Sequence, residues 1–170
     1  MEYYCIMVMT GEEETFKKKA IEALKEKSPE SKLFFFKRKL YTPKRGYFIA
    51  PLFPGYVFFE TEKLDAEIFS ILKKVDGFCR ILPENLAPEK ISGNALDELK
   101  LFMHNGEEWG ISKIKFLEGQ RIKAIFGPLV GLEGRILRVN KKKGQITVSS
   151  SLTCDGKRID LLFEQAEVVE

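Results

Sequence analysis

The chain has 170 residues, 44% hydrophobic and 31% charged, with a formal net charge of +3 at pH 7. That is apolar material for one ordinary domain or two small ones, and no apolar run approaches the roughly 20 residues a membrane helix needs. Three widely spaced cysteines, Cys5, Cys79 and Cys154, match neither a zinc site nor a disulfide framework; with no basic leader at the N-terminus, the expectation is a monomer in a reducing cytoplasm, away from membranes.

Tyr3 to Met9 is a short apolar run that reads as a buried strand. Thr10-Gly11 breaks it, and Glu12-Glu13-Glu14 suits the positive end of a helix dipole. Phe16, Ala20, Ala23 and Leu24, widened by Ile21, give that helix an apolar stripe, and Ser28-Pro29 ends it. The spacing then predicts one strand from Leu33 to Tyr41, a turn at Thr42–Gly46 and a return along Tyr47–Ala50, forming a protruding basic hairpin.

The segment Pro51-Leu52-Phe53-Pro54-Gly55-Tyr56-Val57-Phe58-Phe59 follows. Pro54-Gly55 can close a loop and open a strand. On that strand Tyr56 and Phe58 share one face and Val57 and Phe59 the other, so both faces are apolar. Such a strand is either covered on both sides by its own domain or keeps one face for a partner. Further on, Leu64 to Val75 has helical spacing, Phe78–Leu82 reads as a strand, and Asn94–His104 as a third helix. This order suits one mixed sheet with helices packed on it, an α/β sandwich. Asn105–Gly110 then marks a boundary. Beyond it short strands alternate with turns, over Gly119–Phe126, Glu133–Asn140, Gly144–Ser150 and Arg158–Phe163, and suggest a small β-barrel. The fold class is therefore α+β.

Charge is unevenly spread. Residues 1–107 carry 17 basic and 17 acidic side chains, residues 108–170 carry 11 and 8. Lys113, Lys115, Arg121, Lys123, Arg135, Arg138, Lys141, Lys142 and Lys143 stand against only Glu118 and Glu133 over residues 113–143. A second basic zone holds Lys37, Arg38, Lys39, Lys44 and Arg45. Local basic zones in a nearly neutral chain point to contact with a polyanion, although any single Lys is more often just a solvated side chain. No catalytic triad, metal cluster, cofactor motif or phosphate loop points to an enzyme, and the lone His104 reads as structural or solvated.

The run from Gly119 to Ile136, with alternating Arg121/Lys123 and Ile122/Ala124, the Gly127-Pro128 turn, and Gly131 and Gly134 at corners, resembles a KOW motif. Tyr3-Tyr4, Phe53-Pro54-Gly55-Tyr56-Val57 and Asp76-Gly77 before a short strand are similar to the NGN domain of the NusG family of transcription elongation factors. The resemblance covers nearly the whole chain. It implies an NGN domain at 1–107, a linker at 108–114 and a KOW barrel at 115–170. It also implies that an apolar NGN patch, matched here by Tyr4, Phe53, Pro54, Tyr56 and Phe58 with Phe78 and Ile81 beside it, receives the clamp helices of the RNA polymerase β′ subunit.

Pro51-Leu52 before Phe53, Gly110-Ile111-Ser112-Lys113, and the loop from Gly127 to Gly134 resemble specialised paralogues of the LoaP type. Thr153–Arg158 differs from the segment through which NusG usually meets Rho or a ribosomal protein. For a LoaP-like member the resemblance implies processive antitermination, recruitment by a nascent RNA hairpin, and the DNA of the transcription bubble as a further contact. The alternatives are a housekeeping NusG coupling transcription to translation or Rho termination, and a KOW-type RNA-binding protein independent of polymerase.

Overall fold

In a computed structural model that describes residues 1–152 and 158–166, the chain begins with β1 (Glu2–Val8), α1 (Glu13–Leu24), β2 (Lys32–Phe34), β3 (Lys37–Thr42), β4 (Gly46–Pro51) and β5 (Tyr56–Thr61). It continues with α2 (Ala66–Lys73), β6 (Phe78–Ile81), α3 (Gly93–His104), β7 (Glu108–Trp109), β8 (Ser112–Phe116), β9 (Ile122–Phe126), β10 (Ile136–Asn140), β11 (Gln145–Ser149) and β12 (Arg158–Gln165). Two compact units result: residues 1–36 with 53–97, and residues 37–52 with 98–170.

The first unit is a four-stranded sheet of order β2-β5-β1-β6. Pairing of β1 with β5 sets Tyr4 opposite Phe59, Cys5 opposite Phe58 and Ile6 opposite Val57. Because side chains alternate along a strand, Tyr4, Ile6, Val8, Val57 and Phe59 form one face. They share a core with Phe16, Ala20 and Leu24 of α1 and Ile68 and Leu72 of α2. The four-residue spacing in each helix turns one stripe onto the sheet. Each fully buried apolar side chain of this kind contributes about 1.5–3 kcal/mol. Asp65 caps α2 by accepting from the Ile68 N–H at 2.8 Å.

The second unit holds the β3–β4 hairpin, which pairs from Lys37↔Pro51 to Thr42↔Gly46. Strand β7 lies parallel to β3. A five-stranded sheet of order β10-β11-β12-β8-β9 forms a KOW-like half-barrel, with Ile114, Ile146, Val148, Ile159 and Leu161 buried in it. Gly127 shows why this turn needs glycine. Its φ is +95°, and a Cβ there would stand 2.8 Å from the Ser112 Cα. The Ser112 hydroxyl accepts from the Leu129 N–H at 3.0 Å, fixing the turn to β8.

Two polar side chains tie this unit together. Glu98 of α3 accepts from the Ser151 N–H at 3.0 Å and hydroxyl at 2.7 Å, and its carboxylate lies 3.1 Å from the Arg135 guanidinium. Arg38 donates to the Pro51 carbonyl and, at 3.0 Å, to the Asp160 carbonyl. Burial pushes the Arg38 guanidinium below its ordinary pKa, opposed by the nearby Asp160 charge.

The structure departs from the sequence reading at several elements. The single strand expected over Leu33–Tyr41 is broken at Phe35-Phe36, both buried, so β2 joins the first sheet and β3 the hairpin. The linker expected at 108–114 carries β7 and the start of β8. Trp109 is 2% exposed, packs edge-to-face on Phe102 at 4.7 Å and donates to the Gly106 carbonyl. Turn-like composition concealed a segment held by a large buried ring and by alternation of buried Ser112 and Ile114. Lastly, Glu133–Arg135 forms a 3-10 turn ahead of β10 instead of strand.

Candidate functional site

Of the residues expected to receive a polymerase segment, Phe53 and Phe58 are each 1% exposed. Their rings meet edge-to-face at 5.5 Å, and Phe36 packs on Phe58 at 5.6 Å. Phe58 lies on the sheet face opposite Phe59 and shares it with Tyr56, since Tyr56 pairs with Met7 and Phe58 with Cys5. Tyr4 and Ile81 do not belong to that face. Both sit in the helix-covered core, because a one-residue step along a strand reverses the side. The Tyr4 hydroxyl donates to Glu2 at 2.8 Å, and burial, followed by that carboxylate, pushes the phenol up to about 12. Phe78 is half-buried against the same core, on the rings of Phe16 and Phe69. Of the seven side chains, Pro54 is exposed, and Tyr56 and Phe78 are half-buried.

The Pro54-Gly55 turn is held by a residue that sequence reasoning assigned only to a helix dipole. Glu13, 3% exposed, accepts from the Gly55 N–H at 3.0 Å and the Gly11 N–H at 2.9 Å. The Gly55 carbonyl accepts from the Val8 N–H at 2.8 Å, and Tyr56 N–H donates to the Phe53 carbonyl at 3.0 Å. At φ +84°, a Cβ on Gly55 would come within 3.2 Å of the Thr10 hydroxyl. Tyr56 is thus presented by a turn with little freedom. Met7 and Tyr3 share its face by strand alternation and were also missed; the alternation in Tyr3–Val8 was visible, but the register that selects the face was not.

The basic side chains behave differently. Lys141, Lys142 and Lys143 occupy the β10–β11 turn and are exposed, as are Lys113, Lys115, Arg121, Lys123 and Arg138. Lys143 N–H donates to the Asn140 side chain at 3.1 Å, shaping the turn. The Lys141 ammonium lies 4.3 Å from the centre of the Phe116 ring, and Phe116, Leu117, Ile122, Arg138, Lys141 and Lys142 line one open groove. A groove with cations over an aromatic floor can take phosphate and base together. Arg135 is instead engaged by buried Glu98.

In the hairpin, Arg38 is spent on carbonyls, Lys37 lies 3.7 Å from Glu108, Lys39 covers the Tyr47 ring at 4.6 Å and Arg45 the Phe48 ring at 4.0 Å. Lys44 is exposed. Among the described residues, no cluster of His, Cys, Asp and Glu is placed to hold a metal ion, and no helix is long and apolar enough to cross a membrane. Cys154 and most of the Thr153–Arg158 segment lie outside the described residues.

The fold is mixed α+β, with helices on one sheet and a KOW-like half-barrel. The family described as "Transcription termination factor nusG" matches residues 1–100, and the chain belongs to the NusG family. It is 28% identical over 126 residues to the "Transcription termination/antitermination protein NusG" of Xylella fastidiosa, covering 68% of this chain and 67% of that one. With the protein of the same description from Haemophilus influenzae it shares 28% over 120 residues, covering 69% and 63%; this match spans under two thirds of the relative's length. Among solved structures, "Domain interaction in Thermotoga maritima NusG" has the same fold at a TM-score of 0.60 and 17% identity, covering 95% of this chain and 93% of that one.

Proposed function

We propose that this NusG-family transcription factor is a cytoplasmic processive antitermination factor of the LoaP type, without enzymatic activity of its own. It docks on the β′ clamp helices of RNA polymerase and binds a hairpin in the nascent RNA. Docking shifts the population of a mobile clamp toward the elongating state and needs no covalent step. Tyr56, on the turn fixed by Glu13, and exposed Pro54 are the accessible contacts, while Phe53 and Phe58 shape the surface from beneath.

The observation that carries the RNA reading is the exposed Lys141–Lys143 turn beside the Phe116 groove. Duplex RNA is read mainly through its backbone and shape, and a turn presenting three ammonium groups matches that. Arg121, Lys123 and Arg138 extend the basic surface, with Lys113 and Lys115 on β8.

The test is hairpin-RNA binding measured as a function of salt, with pull-down on a clamp-helix fragment. Replacing Lys141–Lys143 with Ala should weaken hairpin binding and reduce the salt slope by about two or three. Unchanged affinity and slope there, with loss on Lys39→Ala and Lys44→Ala, would move recognition to the β3–β4 hairpin. Tyr56→Ala should weaken pull-down at least about tenfold if Tyr56 anchors the contact. If the chain captured Rho or a ribosomal protein and bound no leader RNA, the housekeeping role would replace this one.

A further inference from the structure

The β3–β4 hairpin has two unlike faces. Lys37, Lys39 and Tyr41 stand opposite Pro51, Ile49 and Tyr47 on one of them, and Arg38, Leu40, Phe48 and Ala50 fall on the other. The second face is the inward one, as the Arg38 bond to the Asp160 carbonyl indicates. On the first, Tyr41 is 44% exposed, Tyr47 58% and Ile49 53%. The tyrosine rings sit 5.0 Å apart and tilted by 57°, and the Lys39 ammonium lies over the Tyr47 ring. Tyr41 and Tyr47 also border a shallow pocket with Lys143 and Gly144 of the β10–β11 turn, and with Glu164 as its one acidic member. The two basic zones that look like rivals in the sequence are therefore adjoining parts of one surface.

A cross-strand aromatic pair can serve simply to hold a hairpin together. Here both rings are also exposed, one carries the Lys39 ammonium, and Lys143 borders the same pocket. We propose that Tyr41 and Tyr47 are a stacking platform for unpaired RNA nucleotides, with Lys39 and Lys143 taking the adjoining phosphates. Single-stranded nucleic acid is held where aromatic faces accept bases beside a cationic track. A base on Tyr47 displaces the Lys39 ammonium, which has a flexible stem and can move to the next phosphate. Lys143 belongs to both this platform and the Lys141–Lys143 turn, so unpaired nucleotides flanking an RNA stem can continue from one onto the other. The inference rests on the proposed RNA contact and adds the recognition of single strand beside stem.

The experiment uses the full chain, a 12-nucleotide oligouridine carrying one 2-aminopurine, a fully paired RNA stem closed by a short loop, and oligothymidine of the same length. Wild-type protein should quench the 2-aminopurine on binding. Tyr41→Ala with Tyr47→Ala should weaken oligouridine binding about tenfold or more and abolish the quenching, leaving stem affinity within about twofold. Tyr41→Phe with Tyr47→Phe should restore both, since stacking needs the ring and not the hydroxyl. Tyr41→Leu with Tyr47→Leu keeps an apolar hairpin pair and should behave like Ala, which separates stacking from hairpin stability. Equal loss for stem and single strand, unchanged oligouridine binding, or tighter binding of oligothymidine than of oligouridine would each overturn the proposal. Stem binding that is absent or insensitive to Lys141–Lys143→Ala, with tyrosine-dependent oligouridine binding retained, would instead remove the parent reading and leave the platform standing.

Discussion

The Phe53–Phe59 segment and the Lys141–Lys143 turn were both singled out by composition, yet the structure treats them in opposite ways. In the first, Phe53, Val57, Phe58 and Phe59 are each at or below 1% exposure, and the residues left accessible are Pro54 and, in part, Tyr56. In the second, all three lysines are exposed and one ammonium is draped on an aromatic ring. Large apolar side chains gain free energy from burial wherever the fold offers it, about 25 cal/mol per Å² of apolar surface. A lysine ammonium loses its hydration when buried and stays at the surface. An apolar stretch in a sequence is thus a poor guide to which of its residues a partner can touch, while a basic turn is a fair one.

The largest expected effect tests the buried side of this contrast. Phe58→Ala should destabilise the chain by about 3–5 kcal/mol, as for other large-to-small core changes, read as a lower denaturant midpoint. Phe53→Ala should fall in the same range, so loss of polymerase pull-down in either variant reports on folding first. A change under about 1 kcal/mol in Phe58→Ala would mean that the ring is not core and would restore it as a direct contact.

Arg135 gives the next largest effect and sorts one basic residue away from its neighbours. Its removal leaves the Glu98 carboxylate, whose side chain is 0% exposed, without its cation. The arginine itself is 32% exposed, so solvent screens part of the pair, and a cost of about 2 kcal/mol is expected. The double variant Arg135→Ala with Glu98→Ala should be less destabilised than the sum of the two single changes. Additivity in that cycle would show the pair to be uncoupled and would return Arg135 to the RNA surface.

Gly55→Ala probes the turn that presents Tyr56. The positive φ and the 3.2 Å approach to Thr10 should cost about 1–3 kcal/mol, with weaker clamp-helix pull-down than wild type at a temperature where both are folded. Wild-type stability in this variant would argue that the Glu13 bonds are not fixing the turn. The smallest effect on stability belongs to Lys141–Lys143→Ala, expected within about 0.5 kcal/mol of wild type, so that any loss of RNA binding can be read directly as loss of contact. A larger drop in thermal midpoint would mean that the turn carries structure as well as charge.

Much of the molecule was legible in the sequence. The helical stripe Phe16, Ala20, Leu24, the two apolar faces of Tyr56–Phe59 and the Gly127-Pro128 turn all follow from local rules: period 3.6, period 2, and the backbone freedom of glycine. The likeness to the NusG family could be recognised for the same reason, since each motif that carries it is a run of consecutive residues. What the sequence could not supply was pairing across distance. Register alone places Tyr4 with Phe59 and away from Phe58, and nothing in Tyr3-Tyr4 says which tyrosine faces which way. Trp109 looked like part of a linker because its partner Phe102 lies in another element. Arg135 looked like its basic neighbours until tertiary contact gave it Glu98, and Tyr41 and Tyr47 drew no notice until the fold set them beside Lys143. Local rules reach the helical stripes, the strand alternation and the glycine turns; where a strand breaks and which side chains meet, Arg38 and Arg135 among them, is decided by long-range packing, where one residue of register reverses a face.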